Sequence, residues 1–311
     1  MDTVEMNTEN TKADTKRSSD AVPRKKRGDR KDGVWLKDLD GLHMIMPYVM
    51  PERCESEVYI EETIDVTEMM KYIEQRNSER KEGDPKLTPF HVIAAAVGKL
   101  LYHRPKLNRF IAGKRVYQRN KMTLAFVVKR KFEDNSEESL LITEIKEDTT
   151  LSKMSRKIVG DAKHVRSTDG NGLDDILNTF GRLPRFVMRL VMLGFNFLDF
   201  HGWVPAAVTD GDSAYASILL SNLGSIKCNA AYHHLNNYGT NSVVVTIGRI
   251  HKEQVVLDDG SVAVRDVVKL GATADERIAD GFYFAKSLRM LETILADPAR
   301  LELPVSEDIT A

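Results

Sequence analysis

Cysteine is scarce in this sequence, and its scarcity excludes two classes of protein. The 311 residues contain only Cys54 and Cys228, which are too few for a disulfide framework and lack the paired spacing of a zinc site. No run reaches the roughly 20 apolar residues that span a bilayer, and the N-terminal region has no apolar stretch typical of a signal peptide. We therefore expect a cytoplasmic protein without a membrane span.

Excess charge of either sign is also missing. The chain has 45 Lys and Arg against 46 Asp and Glu, a net charge of -1, so no overall field attracts nucleic acid or an anionic surface. The glycine-rich motifs that bind dinucleotides or nucleoside triphosphates are absent, as is the His-Glu-x-x-His motif of catalytic zinc. Nucleic acid is not expected as a partner, and no metal is expected at the site.

Residues 1–33 differ from the rest of the chain. They are polar, lack aromatic residues and contain the basic cluster Arg24 to Arg27, followed by Arg30 and Lys31. Such a segment does not bury enough apolar surface to fold, so a disordered tail is predicted. A solvated cluster is favoured over contact with an acidic partner or nucleic acid. One globular domain is predicted over residues 34–303, with a short C-terminal tail over 304–311.

Hydrophobic periodicity predicts a mixed α+β pattern rather than a regular βαβ repeat. Thr88 and Pro89 are typical of a helix N-cap and first helical position, and this helix is predicted to end at Pro105. Further helices are predicted from Asp65 through Ile73, over 148–158 and over 282–295, with a polar loop over 163–172. Strands are predicted over 57–64, 114–118, 122–129, 139–144, 217–221, 242–247 and 262–270.

The segment 186–200 (FVMRLVMLGFNFLDF) is a long apolar stretch. It is interrupted by Arg189, Asn196 and Asp199, and it is too short and too charged to cross a bilayer. A helix is predicted, within an insertion at about 173–205. Packing in the core or at a subunit interface is favoured, and the alternatives are a lid over an acyl chain or contact with a membrane surface.

Four segments, in this order, resemble the catalytic domain of dihydrolipoyl acyltransferases, the core enzymes of 2-oxoacid dehydrogenase complexes. They are 87–108 (LTPFHVIAAAVGKLLYHRPKLN), 218–225 (ILLSNLGS), 243–250 (VVVTIGRI) and 272–281 (ATADERIADG). The resemblance implies a chloramphenicol acetyltransferase-like two-layer sandwich, in which helices flank a mixed β-sheet. It also implies a homotrimer whose substrate channel lies between subunits.

Ser221 is the first candidate site residue. The family uses a Ser-x-Leu-Gly turn to place a hydroxyl beside the reacting thioester, and Ser221 matches that position, with Asn222 beside it as a structural residue. The resemblance implies that the hydroxyl stabilises the oxyanion of the tetrahedral intermediate, where one preorganised donor contributes about 3 kcal/mol. The alternative is a serine that caps a turn at the end of a strand.

Glu276 departs from the family pattern. Where the family reads Asp-His-Arg-x-x-Asp-Gly, this chain reads Asp275-Glu276-Arg277-Ile278-Ala279-Asp280-Gly281. The family's histidine is the general base that accepts a thiol proton, which suits a pKa near 7 better than the usual glutamate value of about 4.3. Arg277, Asp280 and Gly281 are expected to be structural, with Asp280 capping the closing helix and Gly281 permitting the turn into it.

His233 and His234 are alternative candidates for the base. They stand in AYHHLNNYG, which superficially resembles the His-His-x-x-x-Asp-Gly signature of chloramphenicol acetyltransferases. Here, however, the pair precedes the strand VVVTIGRI rather than a late helix, so the likeness is interpreted as accidental. Two loop histidines are more often surface or interface residues, although histidine in general is a suitable proton carrier near neutral pH. Cys228 as a nucleophile is a weaker alternative.

Two hypotheses from different classes follow. The first is an acyltransferase that moves an acyl group to or from coenzyme A, or a lipoyl thiol carried by another chain. No segment resembles a lipoyl domain, so no covalently bound lipoyl group is expected here. The second is a non-catalytic oligomeric scaffold of the same fold. An antibiotic acetyltransferase and a complete dehydrogenase-complex core are disfavoured, because the family's histidine and an accompanying lipoyl domain are missing.

Overall fold

The computed structural model describes residues 26–129, 138–167, 183–257 and 259–309. The helices are α1 (Gly41–Val49), α2 (Thr67–Ser78), α3 (Pro89–His103), α4 (Leu151–Ser167), α5 (Arg185–His201), α6 (Ala206–Thr209) and α7 (Gly281–Ala296). The strands are β1 (Gly33–Trp35), β2 (Glu57–Asp65), β3 (Arg109–Ala112), β4 (Arg115–Arg119), β5 (Met122–Lys129), β6 (Glu138–Ile145), β7 (Ile218–Asn222), β8 (Val243–Ile247), β9 (His251–Val256) and β10 (Val262–Asp275).

A mixed sheet forms the centre of the fold. Its strand order is β2-β10-β8-β7-β5-β6, and β9 also pairs with β10. The β5–β7 and β7–β8 pairs are parallel, whereas the other pairs of this sheet are antiparallel. A second, smaller sheet has the order β1-β4-β3. The predicted α+β class with a mixed sheet is confirmed.

Helix α3 packs at the middle of the hydrophobic core. Its residues from His91 to Leu101 are all buried, because apolar or small side chains occur on every face of the helix. Ala94, Ala95 and Ala96 allow close approach, and the same buried cluster includes Leu220 of β7 and Val245 of β8. The helices therefore cover one face of the central sheet, and we call the opposite face the outer face.

The start of α3 follows the predicted cap. The Thr88 side chain accepts a hydrogen bond from the His91 backbone N–H (3.4 Å), and His91 Nδ1 accepts one from the Thr88 backbone N–H (3.3 Å). Each side chain thus satisfies a backbone donor that the helix itself leaves unpaired, as in a capping box. Burial lowers the pKa of His91 below its ordinary value of 6.5.

Acidification is expected to destabilise the protein through His91. Above about pH 6.5 the imidazole is neutral in both states, whereas at lower pH the unfolded chain takes up the proton first. Stability should therefore fall as the pH drops from about 7 toward 5, by at most about 1.4 kcal/mol per pH unit for this group. His91→Gln keeps a side-chain acceptor at the cap without titrating. Urea unfolding near pH 7 and near pH 5.5 should give a smaller loss for His91→Gln than for the wild-type chain. An identical loss would contradict this prediction.

The N-terminal tail was predicted to extend too far along the chain, to residue 33. Residues 26–33 are part of the fold, since β1 pairs with β4 and Arg30 is only 7% exposed. Arg30 Nη2 lies 3.1 Å from Asp199 Oδ1, and its guanidinium lies 5.6 Å from the centre of the Phe110 ring. A basic residue expected in solvent is instead buried, because it finds a carboxylate partner. Residues 1–25 lie outside the described residues.

The predicted C-terminal tail is also wrong for residues 304–309. Val305 and Ile309 are buried in the main hydrophobic cluster. The ammonium group of Lys99, in the fully buried part of α3, donates hydrogen bonds to the carbonyls of Arg300 (3.3 Å) and Pro304 (3.1 Å). A buried ammonium group without hydrogen-bond acceptors is very unfavourable. The carbonyls that accept from Lys99 therefore help to hold this segment against α3. Residues 310 and 311 lie outside the described residues.

Other boundaries also differ from prediction. Helix α4 continues to Ser167, so the predicted loop over 163–172 is wrong for its first five residues, and 168–172 lie outside the described residues. Strand β10 extends to Asp275 rather than 270. Elements α1, α6, β1, β3 and β9 were not predicted, since short segments offer too few residues for a periodic pattern.

The helix predicted at 186–200 is present as α5, but it does not pack in the core. None of its residues is buried in the chain. Residues 173–182 of the predicted insertion lie outside the described residues. In the described ranges, no helix is both long enough and apolar enough to cross a membrane.

Candidate active site

Ser221 stands near the carboxyl end of β7. Ile218 and Leu220 of that strand belong to the hydrophobic cluster beneath the helices, and successive side chains of a strand point to opposite faces. Ser221 therefore points to the outer face of the sheet. Its hydroxyl forms no hydrogen bond with another described residue, so it is free to donate to a ligand.

The turn after Ser221 is held against the next loop of the sheet. Residues Leu223–Ile226 form a 3₁₀ turn, and a Cβ atom on Gly224 would lie 2.7 Å from the carbonyl oxygen of Gly248. A side chain at position 224 would push these two backbones apart. The glycine of the Ser-x-Leu-Gly sequence is thus required by close backbone approach, which fixes the position of the turn beside Ser221.

A row of short residues crosses the outer face beside Ser221. Ser221 pairs with Thr246 of β8, and Thr246 pairs with Gly271 of β10. The Thr246 hydroxyl donates to the carbonyl of Ala231, and a Cβ atom on Gly271 would lie 2.8 Å from that hydroxyl oxygen. Small side chains in this row leave room for another layer of backbone over the sheet.

That layer is residues 228–238, which we call the covering segment. It begins where the Cys228 carbonyl accepts a hydrogen bond from the Arg249 backbone N–H, near the Ser221 turn. It continues past Ala231 to Leu235, whose backbone N–H donates to Glu57 Oε1 at 2.5 Å. Glu57 pairs with Asp275, so the covering segment runs along the sheet toward the end that carries Glu276.

His233 and His234 lie on the covering segment and are exposed. Their rings are stacked with centroids 5.2 Å apart, and His233 Nδ1 lies 3.0 Å from the carbonyl of His234. They follow Tyr232, which packs edge-on against Tyr59 of β2. The pair is therefore positioned toward the Glu276 end of the sheet and away from Ser221 of the same chain.

A buried ion pair organises the loop that carries Glu276. Asp275 and Arg277 are 0% and 1% exposed, and two parallel hydrogen bonds of 2.8 and 2.7 Å join the guanidinium to the carboxylate. Arg277 also donates to the carbonyl of Met50 at the end of α1 (2.6 Å). The Asp275 ion pair and the Met50 hydrogen bond give Arg277 the structural role expected of it.

Burial lowers the pKa of nearby Arg53, whose guanidinium donates to the carbonyl of Ile111 at 2.7 Å.

Glu276 lies between these two buried residues but points outward. Its backbone N–H donates to the carbonyl of Ser56 at 2.9 Å, whereas its side chain is exposed. The carboxylate has no ion-pair partner among the described residues. A rigid backbone therefore holds an open carboxylate at this end of the sheet.

Asp280 has the capping role expected of it. Its carboxylate accepts a hydrogen bond from the Tyr283 backbone N–H at 2.8 Å at the start of α7, and this bond lowers the pKa of Asp280. The reason expected for Gly281 is wrong. Gly281 does not have a positive φ, and a Cβ atom there would meet open space. Backbone geometry within the chain therefore does not require glycine at this position.

Ser221 and Glu276 do not meet within one chain. Ser221 is in register with Gly271 through Thr246, and Glu276 lies five residues beyond Gly271. Five residues of strand span roughly 17 Å, and two strand spacings add roughly 10 Å across the sheet. The two candidate residues thus lie at opposite ends of the central sheet.

A cleft of about 840 Å³ lies elsewhere in the described structure. Charged residues such as Arg119, Lys146 and Asp212 line it, but none of the candidate site residues does. In the same ranges, no group of three or more His, Cys, Asp or Glu side chains is placed to hold a metal ion. We therefore locate the candidate site by the register of Ser221 and the Glu276 loop rather than by cavity size.

Comparison with known proteins identifies the family. Residues 53–168 and 207–303 match the family model "2-oxoacid dehydrogenases acyltransferase (catalytic domain)". The chain belongs to this family.

One curated relative is the lipoamide acyltransferase component of the branched-chain alpha-keto acid dehydrogenase complex of Bacillus subtilis, 25% identical over 235 residues. The match covers 75% of this chain but 45% of that relative, so the chain spans less than half of its length.

Solved structures agree on the fold. The cubic core of the pyruvate dehydrogenase multienzyme complex superposes with a TM-score of 0.58 at 16% identity, covering 86% of this chain and 94% of that one. A chloramphenicol acetyltransferase superposes with a TM-score of 0.52 at 12% identity, covering 85% and 99%. The predicted chloramphenicol acetyltransferase-like sandwich is confirmed. The family match is interrupted at 169–206, which is close to the insertion predicted at 173–205.

Several residues of this region were not singled out from the sequence. Thr246 lies beside Ser221, and Glu57 holds the covering segment. Both stand in strands that were predicted, but their roles depend on cross-strand register, which sequence patterns do not give. Arg53 carries no local signal at all, because its partners are backbone carbonyls distant in sequence.

Proposed function

We propose that this chain is an acyltransferase that exchanges an acyl group between coenzyme A and a dihydrolipoyl thiol carried by another chain. The observation that carries the proposal is the Ser221 hydroxyl. It points to the outer face, has no partner among the described residues and stands in β7 just before a turn positioned by Gly224 and Gly248. We infer that the reaction takes place in the cytoplasm.

The chemistry requires a base and an oxyanion donor. The thiol sulfur attacks the thioester carbonyl, the new C–S bond forms, and the carbonyl oxygen becomes an oxyanion. Ser221 donates a hydrogen bond to that oxyanion. The C–S bond to the departing thiolate then breaks, and the proton taken from the attacking thiol passes to it. A rigid donor in this position acts without reorganising during the reaction.

Glu276 is the base in this proposal. Its carboxylate is exposed, while its backbone is held between the buried Asp275 and Arg277. Because Ser221 and Glu276 lie at opposite ends of the sheet in one chain, the reaction needs Ser221 of one subunit to face Glu276 of another. We therefore propose a homotrimer with the sites between subunits, in which activity and assembly depend on each other.

The direct test is conversion of acyl-coenzyme A in the presence of free dihydrolipoamide. Chromatography should show acyl-coenzyme A lost and S-acyl dihydrolipoamide formed, over a panel of short and branched acyl chains. Light scattering on the same sample reports the oligomer. Absence of conversion across the panel, with intact trimers and no coenzyme A binding, would favour the non-catalytic scaffold instead.

The role of Glu276 gives a separate prediction. Glu276→Gln removes the proton acceptor but keeps the size of the side chain, and kcat should fall about 100-fold or more. Glu276→His should retain measurable turnover, with its optimum shifted toward the titration range of histidine. The matched comparison is the double variant His233→Asn and His234→Asn. If the double variant loses turnover and Glu276→Gln does not, the base is on the covering segment.

A further inference from the structure

Helix α5 exposes a broad apolar surface. Phe186, Leu190, Leu193 and Phe197 are between 57% and 69% exposed, and they recur at the alternating spacing of three and four residues that places side chains on one helical face. Val191 and Leu198 extend the exposed apolar area on the neighbouring face. The apolar sector therefore covers about half of the helix circumference, with each residue 100° from the last.

The charges exposed on this helix have one sign. Arg185 and Arg189 are exposed near its start and border the apolar sector. Its one acid, Asp199, faces the body of the protein, where it accepts hydrogen bonds from Arg30 (3.1 Å) and from the Tyr215 hydroxyl (3.3 Å). The outward surface of α5 is thus apolar and cationic.

A basic region adjoins the end of α5. Arg30 binds the Asp199 carbonyl as well as its carboxylate, and a Cβ atom on Gly113 would lie 2.5 Å from the carbonyl oxygen of Phe200. The two chain segments around Arg30 and Gly113, which make these contacts, carry further cations. In the described residues these cations are Lys26, Arg27, Lys31, Lys37, Lys114 and Arg115.

Two acids of this region, Asp29 and Asp32, are engaged within it, whereas Asp38 beside Lys37 is exposed. Asp29 accepts backbone hydrogen bonds from Lys26 (2.8 Å) and Trp35 (3.0 Å), and Asp32 pairs with Arg30 at 2.9 Å. The two contacts with the end of α5 therefore place cationic segments beside an exposed apolar helix.

We propose that α5 and this basic region bind the surface of an anionic membrane. A helix with a wide apolar face and basic flanks lies in the lipid interface, and each nearby Lys or Arg strengthens binding to anionic lipid about fivefold. Trp203, which is 58% exposed just beyond the helix, has the aromatic character favoured at that depth. The inference is independent of the proposed acyl transfer.

A second copy of the chain fits this surface less well. Pairing two α5 helices in either direction would bring the arginines of one copy near the arginines or His201 of the other. No exposed acid of α5 is present to compensate them. An anionic lipid surface supplies the opposite charge along the whole helix.

The test is sedimentation of the full chain with vesicles. We expect at least tenfold stronger binding to phosphatidylcholine mixed with phosphatidylserine than to phosphatidylcholine alone, and weakening by salt. Leu190→Glu with Phe197→Glu should reduce binding by roughly 100-fold or more, and Arg185→Gln with Arg189→Gln by roughly tenfold or more. Circular dichroism establishes that each variant is folded.

The matched control places the same charges on another exposed apolar site. Val262→Glu with Val264→Glu changes two valines of β10 that are 63% and 61% exposed, and it should bind vesicles as the wild-type chain does. Equal binding by the α5 and control variants, or no binding by the wild-type chain, overturns the proposal. So does a change of oligomer size in the Leu190→Glu and Phe197→Glu variant without vesicles, which would make α5 a subunit interface.

Discussion

Replacing Ser221 with alanine is expected to lower kcat about 100- to 1000-fold while leaving KM nearly unchanged. Loss of one preorganised oxyanion donor raises the barrier by about 3 to 4 kcal/mol, and the donor acts in the transition state rather than on the bound substrate. The hydroxyl has no partner among the described residues, so its removal leaves no buried polar group unsatisfied there. The measurement is steady-state turnover of acyl-coenzyme A with dihydrolipoamide.

Ser78→Ala is the matched control for this experiment. The Ser78 hydroxyl donates to the Gln75 carbonyl at 2.8 Å on an exposed part of α2, so the same atom is removed far from the candidate site. Its kcat should equal that of the wild-type chain. Wild-type turnover in Ser221→Ala would show that Ser221 has no role in the mechanism. If that variant also lost thermal stability, its loss of activity would be due to impaired folding.

Replacing Arg277 with methionine is expected to destabilise the protein by about 3 to 5 kcal/mol. The substitution leaves the carboxylate of Asp275 fully buried without its cation, and removal of one partner from a buried ion pair is far more damaging than the net contribution of the pair. It also releases the carbonyl of Met50. Urea unfolding followed by circular dichroism measures the change in the free energy of unfolding.

Lys153→Met provides the comparison for the buried pair. Lys153 and Asp148 lie 2.6 Å apart, but both side chains are more than half exposed, and exposed pairs contribute at most about 1 kcal/mol. A loss in Arg277→Met no greater than that in Lys153→Met would show that the buried pair does not hold the Glu276 loop.

The sequence allowed the fold to be predicted where strong periodic patterns coincided with family motifs. Helix α3 begins at the residue that its cap predicts, and β7 carries Ser221 near its end as the Ser-x-Leu-Gly turn indicates. These features are local, since a cap or a turn depends on residues a few positions apart. Local signals of this kind survive even where overall identity to known relatives is low.

The features that sequence did not give depend on distant partners. Arg30 was expected in solvent because nothing near it in sequence indicates its ion pair with Asp199. Likewise, the sequence around Lys99 does not indicate that the carbonyls of residues 300 and 304 accept hydrogen bonds from it. The apolar content of α5 suggested burial, yet within the chain the helix is exposed. Hydrophobicity indicates that a surface needs a partner but does not identify the partner.

The order of strands in the central sheet has a consequence for biosynthesis. Strand β2 is made about 200 residues before its neighbour in the sheet, β10, which is the last strand of the described residues. During translation β2 cannot pair with β10 until β10 has left the ribosome. Until then, the backbone hydrogen-bonding groups on that edge of β2 have no strand partner. Pairing between strands so distant in sequence is slow, and exposed strand edges favour aggregation. The yield of folded protein should therefore depend on chaperones that bind the nascent chain, more than it would for a fold whose first strand pairs with its second.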